Sequence, residues 1–169
     1  MMKTSINTLE DALTLELENL YYGEEKVRNG MTRMLKIARS EELQDALARY
    51  EESSHLKLMK LSRIFASLKH SPLACHTNVI DELINESFER LRFAQDHRVQ
   101  ELILINCMER ISNYKTCAYE SCLRYAEELE LEATAHLLLA IVQWERRSKA
   151  ELTDLFYGDF SRSHQRVYI

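Results

Sequence analysis

The sequence predicts an all-α protein, built as a four-helix bundle with a fifth, short helix in the crossover. Apolar residues recur at the helical period through nearly the whole chain, without sustained strand-type alternation. Helix breakers are rare, with 3 Gly and 1 Pro among 169 residues, and 46% of the residues are hydrophobic. This composition is typical of one compact domain, so we assign residues 1–169 to a single domain with its core at about 8–157, followed by a polar tail.

Capping residues and the helical period predict five helices. Thr8, Ser40 and Asp96 are suited to cap helix starts, because short polar side chains accept hydrogen bonds from the free N–H groups of a first turn. The segment 70–72, His-Ser-Pro, breaks the chain after the second helix. The predicted helices cover about residues 8–38, 41–69, 78–94, 98–128 and 131–157. Two pairs of long helices joined by one longer connection, which holds the short helix, indicate a ferritin-like bundle.

Charge and hydropathy exclude several classes of protein. The net charge is −5 and the basic residues are scattered, so no patch suited to nucleic-acid phosphates is expected. No apolar run approaches the ~20 residues that span a bilayer, and the first residues lack the apolar core of a signal peptide. The four cysteines show no Cys-x-x-Cys spacing, which favours reduced thiols. We expect a cytoplasmic protein with no nucleic-acid or membrane partner.

Carboxylates interrupt the apolar stripes of three predicted helices. Glu24 lies in the stripe of the first helix, Glu109 in that of the third long helix and Glu145 in that of the last. A buried, unpaired carboxylate costs several kcal/mol or takes up a proton, so it needs a cation, a hydrogen-bond donor or a metal. These three residues therefore predict an acidic centre, which either a metal or a nearby Arg, Lys or Tyr would satisfy.

The second helix carries a Glu-x-x-His pair, Glu52 and His55, whose spacing lets both side chains reach a single ion. In bundles that hold two iron or manganese ions, a Glu from each of two helices joins a Glu-x-x-His pair from each of the other two. Only one such pair occurs here. We predict Glu24, Glu52, His55, Glu145 and Glu109 as candidate metal ligands, and we assign no catalytic residue.

Lys115, on the third long helix, offers an alternative. Its ammonium group could neutralise the carboxylates of Glu24 and Glu145 with no metal present. The position one turn after Glu145 is Ser148, where a repeated metal site would carry a second histidine. A buried Lys115 beside these carboxylates weakens the metal hypothesis, and a solvent-facing Lys115 strengthens it.

Several segments resemble the YciF/YciE-like, stress-associated branch of the ferritin-like superfamily. Residues 17–24, Leu-Glu-Asn-Leu-Tyr-Tyr-Gly-Glu, are similar to the family's "LKDLYxAE" segment, and residues 75–86 resemble its crossover helix. The resemblance places Glu24 and Glu52 on metal-binding glutamates of the family. It also reveals departures, because residues 111–115 read Ile-Ser-Asn-Tyr-Lys where members typically carry "VEHYE".

The resemblance implies a five-helix ferritin-like fold, usually a homodimer, with a candidate two-metal centre and no settled activity. In one interpretation the protein binds one or two iron or manganese ions for redox chemistry linked to oxygen or peroxide, with Tyr21 and Tyr114 supplying hydrogen bonds around the ligands. In the alternative it is a non-catalytic helical dimer, an interaction or stress protein whose metal site has been lost. The sequence leaves both interpretations open.

Overall fold

The structure, a computed structural model, describes residues 6–72 and 79–164, with side chains described as far as residue 158. Within these ranges the chain forms five α-helices and no β-strand, which confirms the predicted all-α fold with four long helices and one short helix. The helices are α1 (Leu9–Met34), α2 (Glu41–Ser67), α3 (Val79–Leu91), α4 (His97–Glu128) and α5 (Glu132–His164). None of the described helices is long and apolar enough to cross a membrane.

The helices begin where the capping residues predict. Thr8 closes a capping box at the start of α1, and Asp96 accepts a hydrogen bond from the first turn of α4. Ser40 precedes α2, but its side chain makes no capping bond. Instead, Glu101 of α4 accepts hydrogen bonds from the backbone N–H groups of Arg39 and Ser40, at 2.6 and 2.7 Å. The start of α2 is therefore fixed by another helix.

Four helix ends differ from the prediction: α2 ends at Ser67 rather than at residue 69, α3 ends at Leu91 rather than at residue 94, and α1 and α5 differ by more. The helix α1 ends at Met34 rather than at residue 38, and the following residues form a turn in which the N–H groups of Ile37 and Ala38 bond to the Met34 carbonyl. At the other end of the chain, α5 continues to His164, beyond the predicted end at residue 157. Gly158 does not stop α5, because its φ is not positive and its backbone stays helical. The predicted start of the short helix, at residue 78, lies outside the described residues.

The four long helices pack in the cyclic order α1, α2, α5, α4. The contact of Glu101 with Ser40 shows that α2 and α4 begin at the same end of the bundle. The chain must therefore return along the bundle between them, and α3 lies in this crossover, packed against α1 and α4. Gly30 permits the close approach of α1 and α3, because an added Cβ would lie 3.1 Å from Cδ1 of Ile84.

Two apolar clusters fill the bundle and leave a polar layer between them. One cluster includes Leu47 from the first half of α2, and the other includes Leu61 and Phe65 from its second half. Ser54 and Lys57 lie between these positions and are both fully buried. The candidate site lies in this polar layer.

Candidate functional site

Four charged side chains with no exposed surface meet at the centre of the bundle. They are Glu24 of α1, Lys57 of α2, Lys115 of α4 and Glu145 of α5. Each long helix supplies one of them, and their two negative and two positive formal charges sum to zero. Every buried side-chain nitrogen and oxygen in the described part of the chain has a hydrogen-bond partner.

Glu145 is shared by both ammonium groups. Its Oε2 lies 3.1 Å from Nζ of Lys115 and accepts a hydrogen bond from Nζ of Lys57. Its Oε1 accepts hydrogen bonds from the hydroxyl groups of Tyr50, at 2.6 Å, and Ser112, at 2.7 Å. Glu145 thus bridges two cations through one oxygen and is held by two hydroxyl groups at the other.

Glu24 is bound by fewer groups. Its Oε1 lies 2.7 Å from Nζ of Lys115 and accepts a hydrogen bond from the Tyr119 hydroxyl at 2.8 Å. Its Oε2 accepts a hydrogen bond from Ser54 Oγ at 2.5 Å. Lys115 also donates to the Tyr50 hydroxyl at 3.2 Å, so its ammonium group contacts three oxygen atoms. Lys115 is therefore the group that joins the two carboxylates.

The two lysines belong to a repeated motif. The helix α2 carries Ser54-x-x-Lys57 and α4 carries Ser112-x-x-Lys115, and these are the two Ser-x-x-Lys sequences in the chain. Residues three apart lie on one face of a helix, so each serine and lysine point into the bundle together. Each motif delivers one hydroxyl group and one ammonium group to the carboxylates.

Burial and the neighbouring opposite charges shift the pKa values of Glu145 and Lys115 in opposite directions. Burial raises the pKa of Glu145, but the ammonium groups of Lys115 and Lys57 outweigh this effect and lower the pKa to about 2. Burial lowers the pKa of Lys115, but the carboxylates of Glu145 and Glu24 outweigh it and hold the pKa well above its usual value. The pKa of Lys57 is lowered, first by burial and then by the positive charge of Lys115. Glu145 therefore stays ionised and Lys115 protonated near neutral pH, and Lys57 is the weaker base of the two lysines.

The phenol groups act as hydrogen-bond donors. Burial and the neighbouring carboxylate raise the pKa of both Tyr50 and Tyr119 well above the usual value, so both stay protonated. The sequence predicted Tyr21 and Tyr114 for this role. Tyr21 packs edge-to-face against Phe65, and the ring of Tyr114 packs against the apolar cluster that includes Leu47.

The structure brings together two of the five predicted metal ligands, Glu24 and Glu145, and places the other three elsewhere. Glu52 and His55 are exposed, and Glu109 is half-buried and accepts a hydrogen bond from Thr153 at 3.1 Å. Glu52 and His55 each precede an inward residue of α2 by two positions. Two positions correspond to a rotation of about 200° around a helix, so the pair points away from the centre.

Sequence reasoning found Lys115 but missed Lys57, both serines and the two central tyrosines. Lys115 points into the site and contacts both carboxylates, as the alternative interpretation expected. One signal could have identified Lys57. It lies on the same stripe of α2 as Leu47, Tyr50 and Leu61, where a charged side chain is as anomalous as Glu24 is on α1.

The donor set of this centre does not fit a metal ion. Iron and manganese take carboxylate oxygens and imidazole nitrogens, but the two carboxylates here already contact ammonium groups and His55 is exposed. Across the described residues, no three His, Cys, Asp or Glu side chains lie close enough together to hold an ion. The geometry instead supports a neutral, fully bonded polar core.

The connectivity and the carboxylates at the bundle centre define a ferritin-like helical protein. The family model described as "Domain of unknown function (DUF892)" matches residues 8–163, so the chain belongs to this family. Protein YciF of Escherichia coli (strain K12) is 23% identical over 161 residues, which are 94% of this chain and 96% of YciF. The family match and this relative confirm the resemblance to YciF-like proteins.

Two solved structures share the fold. YcfI from Rhodopseudomonas palustris aligns with a TM-score of 0.85 at 23% identity, covering 90% of this chain and 98% of YcfI. The crystal structure of the E. coli stress protein YciF aligns with a TM-score of 0.82 at 21% identity, covering 92% of this chain and 99% of that one. These alignments support the five-helix architecture.

Proposed function

We propose that the protein is a non-catalytic, stress-associated helical protein whose bundle centre is closed by ion pairs and which acts through its surface. The observation that carries this proposal is the contact of Lys57 and Lys115 with the carboxylates of Glu24 and Glu145. The oxygens that a bundle of this class would offer to metal ions accept hydrogen bonds from ammonium and hydroxyl groups. The centre therefore serves to hold the four helices together.

Two relatives support this proposal. The E. coli relative YciF is named a stress protein, and YcfI of R. palustris carries the provisional description of a structural protein. Neither description implies catalysis. We extend the stress association to this chain on the strength of its family membership.

The second candidate function is redox chemistry with one or two iron or manganese ions. The burial of Glu24 and Glu145 in one centre favours it, because paired buried carboxylates are the core of a two-metal site. It requires both lysines to leave the centre, and Glu52, His55 or Glu109 to supply the missing ligands.

Metal loading distinguishes the two candidates. The purified protein is incubated anaerobically with ferrous or manganous salt and desalted, and its metal content is measured by elemental mass spectrometry. Two variants are loaded in parallel, Glu24→Gln for the centre and the double variant Glu52→Ala, His55→Ala for the exposed pair. We expect substoichiometric metal in all three proteins, with no ferrous oxidation and no peroxide consumption. A stoichiometric amount of metal in the wild type, lost in Glu24→Gln, would overturn the proposal and establish the redox candidate.

The homodimer and the cytoplasmic location stay predictions, and we include the dimer in the proposal. The resemblance to YciF-like proteins, which implies a homodimer, supports this part of the proposal. Size-exclusion chromatography with light scattering measures the assembly directly, and a mass near the 19.9 kDa of one chain would contradict the dimer.

A further inference from the structure

We propose that Lys115 is a tethered cation that fills a preformed monovalent-cation site, and that this site accepts a small alkylammonium ion when the lysine side chain is shortened. The inference rests on the proposed closing of the centre by ion pairs. It adds that the oxygen atoms around Lys115 Nζ form a binding site in their own right.

The centre has the same arrangement of helices and side-chain positions as a two-metal bundle, but different residue types occupy some of these positions. Such bundles take a Glu from each of two helices and a pair spaced i, i+3 from each of the other two. Here α1 and α5 each supply a Glu, and α2 and α4 each supply a Ser-x-x-Lys pair. Two divalent ions with four carboxylates sum to zero charge, and so do two ammonium groups with two carboxylates. Each lysine thus replaces one ion, and each serine replaces one carboxylate.

The number of oxygen atoms around Lys115 Nζ equals the number of N–H donors of its ammonium group. Nζ lies 2.7 Å from Glu24 Oε1, 3.1 Å from Glu145 Oε2 and 3.2 Å from the Tyr50 hydroxyl oxygen. An ammonium group has three donors, so each can reach one oxygen. The three oxygens come from three different helices, α1, α5 and α2.

These oxygen atoms are held in place without the help of Lys115. Tyr119 and Ser54 donate to Glu24, and Ser112 and Tyr50 donate to Glu145. Removing the Lys115 side chain therefore leaves an ordered oxygen site. It also leaves a buried charge of −1, because Lys57 alone then faces two carboxylates. An excess buried charge without its partner is strongly destabilising, so a cation of the right size should bind there in competition with a proton.

Chemical rescue of Lys115→Ala tests the inference. Truncation to alanine removes three carbons and the ammonium group, and ethylammonium replaces most of that volume together with the charge. Thermal unfolding is measured in ethylammonium chloride, tetramethylammonium chloride and sodium chloride at equal ionic strength. We expect the Tm of the variant to fall by roughly 10 °C. Ethylammonium should restore a large part of that loss with saturable dependence on concentration, because a ligand of the folded state stabilises by mass action.

Two matched variants control for general salt effects. Lys115→Met keeps the unbranched stem of the side chain but not its ammonium group, so it fills most of the space without the charge and should show no rescue. Lys60→Ala removes a half-buried lysine outside the centre, whose ammonium lies 5.0 Å from the ring centroid of Trp144, and should respond equally to all three salts. Equal responses of Lys115→Ala to the three salts, or an equal gain in Lys115→Met, would refute the inference.

A measurement on the wild type keeps the inference testable if Lys115→Ala fails to fold. Proton–nitrogen correlation NMR of lysine ammonium groups detects those whose protons exchange slowly with water. We expect two persistent signals near neutral pH from the buried Lys57 and Lys115, while exposed lysines are lost by exchange. Absence of both signals would overturn the tethered-cation assignment. Stoichiometric metal in the wild type would instead overturn the proposed function, so the two failures are distinguishable.

Discussion

Glu24 and Glu145 are both fully buried, but Glu145 contacts two ammonium groups and Glu24 contacts one. Lys57 contacts Glu145, whereas Lys115 contacts both carboxylates. Neutralising Glu145 therefore leaves Lys57 without its ion-pair partner in a site that excludes water. Neutralising Glu24 leaves Lys115 still paired with Glu145.

This asymmetry predicts that Glu145→Gln is more destabilising than Glu24→Gln. Breaking a buried ion pair by removing one partner costs about 3–5 kcal/mol, so we expect a loss of that size in the free energy of unfolding for Glu145→Gln. The loss for Glu24→Gln should be clearly smaller. Urea unfolding followed by circular dichroism measures both. Glu151→Gln is the control, because its 3.4 Å pair with Arg49 is exposed and should be worth about 0–1 kcal/mol. Equal losses for Glu24→Gln and Glu145→Gln would contradict the unequal sharing.

The sequence identified Glu24 and Glu145 because each interrupts a clear apolar stripe. The ligands predicted on α2 lie on the outer face of that helix, because two pairs with the same spacing, Glu52/His55 and Ser54/Lys57, occupy opposite sides of it. Leu56 and Met59, which are 40% and 48% exposed, make the outer face look partly apolar. The residue types of Glu52 and His55 favour them as metal ligands, whereas the apolar stripe of α2 indicates that Ser54 and Lys57 point into the bundle.

At the scale of helices, the contact of α3 with α1 depends on the missing side chain of Gly30. Alanine is favoured over glycine inside a helix by about 1 kcal/mol, but a Cβ here would lie 3.1 Å from Cδ1 of the buried Ile84. In Gly30→Ala the free energy gained from higher helix propensity is therefore offset by the cost of displacing the Ile84 side chain.

We therefore predict that Gly30→Ala is more favourable in an Ile84→Val background, where Cδ1 is absent. A double-mutant cycle of unfolding free energies should show a coupling of about 0.5–1 kcal/mol in this direction. Gly158→Ala is the matched control. Among the described residues no atom lies within 4 Å of its added Cβ, so this substitution should stabilise α5 without any dependence on Ile84. A coupling of zero for Gly30 would show that α3 adjusts freely.

Helix types and most helix starts were predictable, because they depend on local periodicity and capping residues such as Thr8 and Asp96. The start of α2 depends on more than local sequence. Its backbone N–H groups bond to Glu101, 61 residues from Ser40, and no local pattern contains that information. The end of α5 was missed for another reason, since Gly158 lowers helix propensity but does not stop a helix.

At the scale of the whole molecule, the central charges couple the four long helices. Each helix brings one charged side chain that is paired only when the others are in place. An intermediate without α5 would leave Lys57 and Lys115 facing Glu24 alone. The centre therefore favours cooperative folding of the complete bundle, in the way that a shared metal ion would.

The same coupling predicts how stability changes in acid. Glu145 contacts Lys57 and Tyr50 of α2 and Lys115 and Ser112 of α4, and Glu24 of α1 contacts the same Lys115 ammonium group. Its pKa is lowered from 4.5 to about 2 in the folded state, so its ionisation contributes stability that is fully present above pH 4.5 and is lost as the pH falls toward 2. The contribution is on the order of 3 kcal/mol, because each unit of pKa shift corresponds to about 1.4 kcal/mol.

We therefore expect the difference in unfolding free energy between the wild type and Glu145→Gln to be constant from about pH 7 to pH 5 and to shrink steadily below pH 4.5. The comparison cancels the contribution of carboxylates that lie far from the centre, such as Asp11 with its lowered pKa. Urea unfolding at a series of pH values between 7 and 2.5 measures the difference, and a reference experiment in excess chelator should give the same curve. A difference that stays constant to pH 2.5 would mean that the charge of Glu145 does not stabilise the folded bundle. A chelator-dependent curve would instead mean that a metal ion, rather than Lys57 and Lys115, balances the charge of the centre.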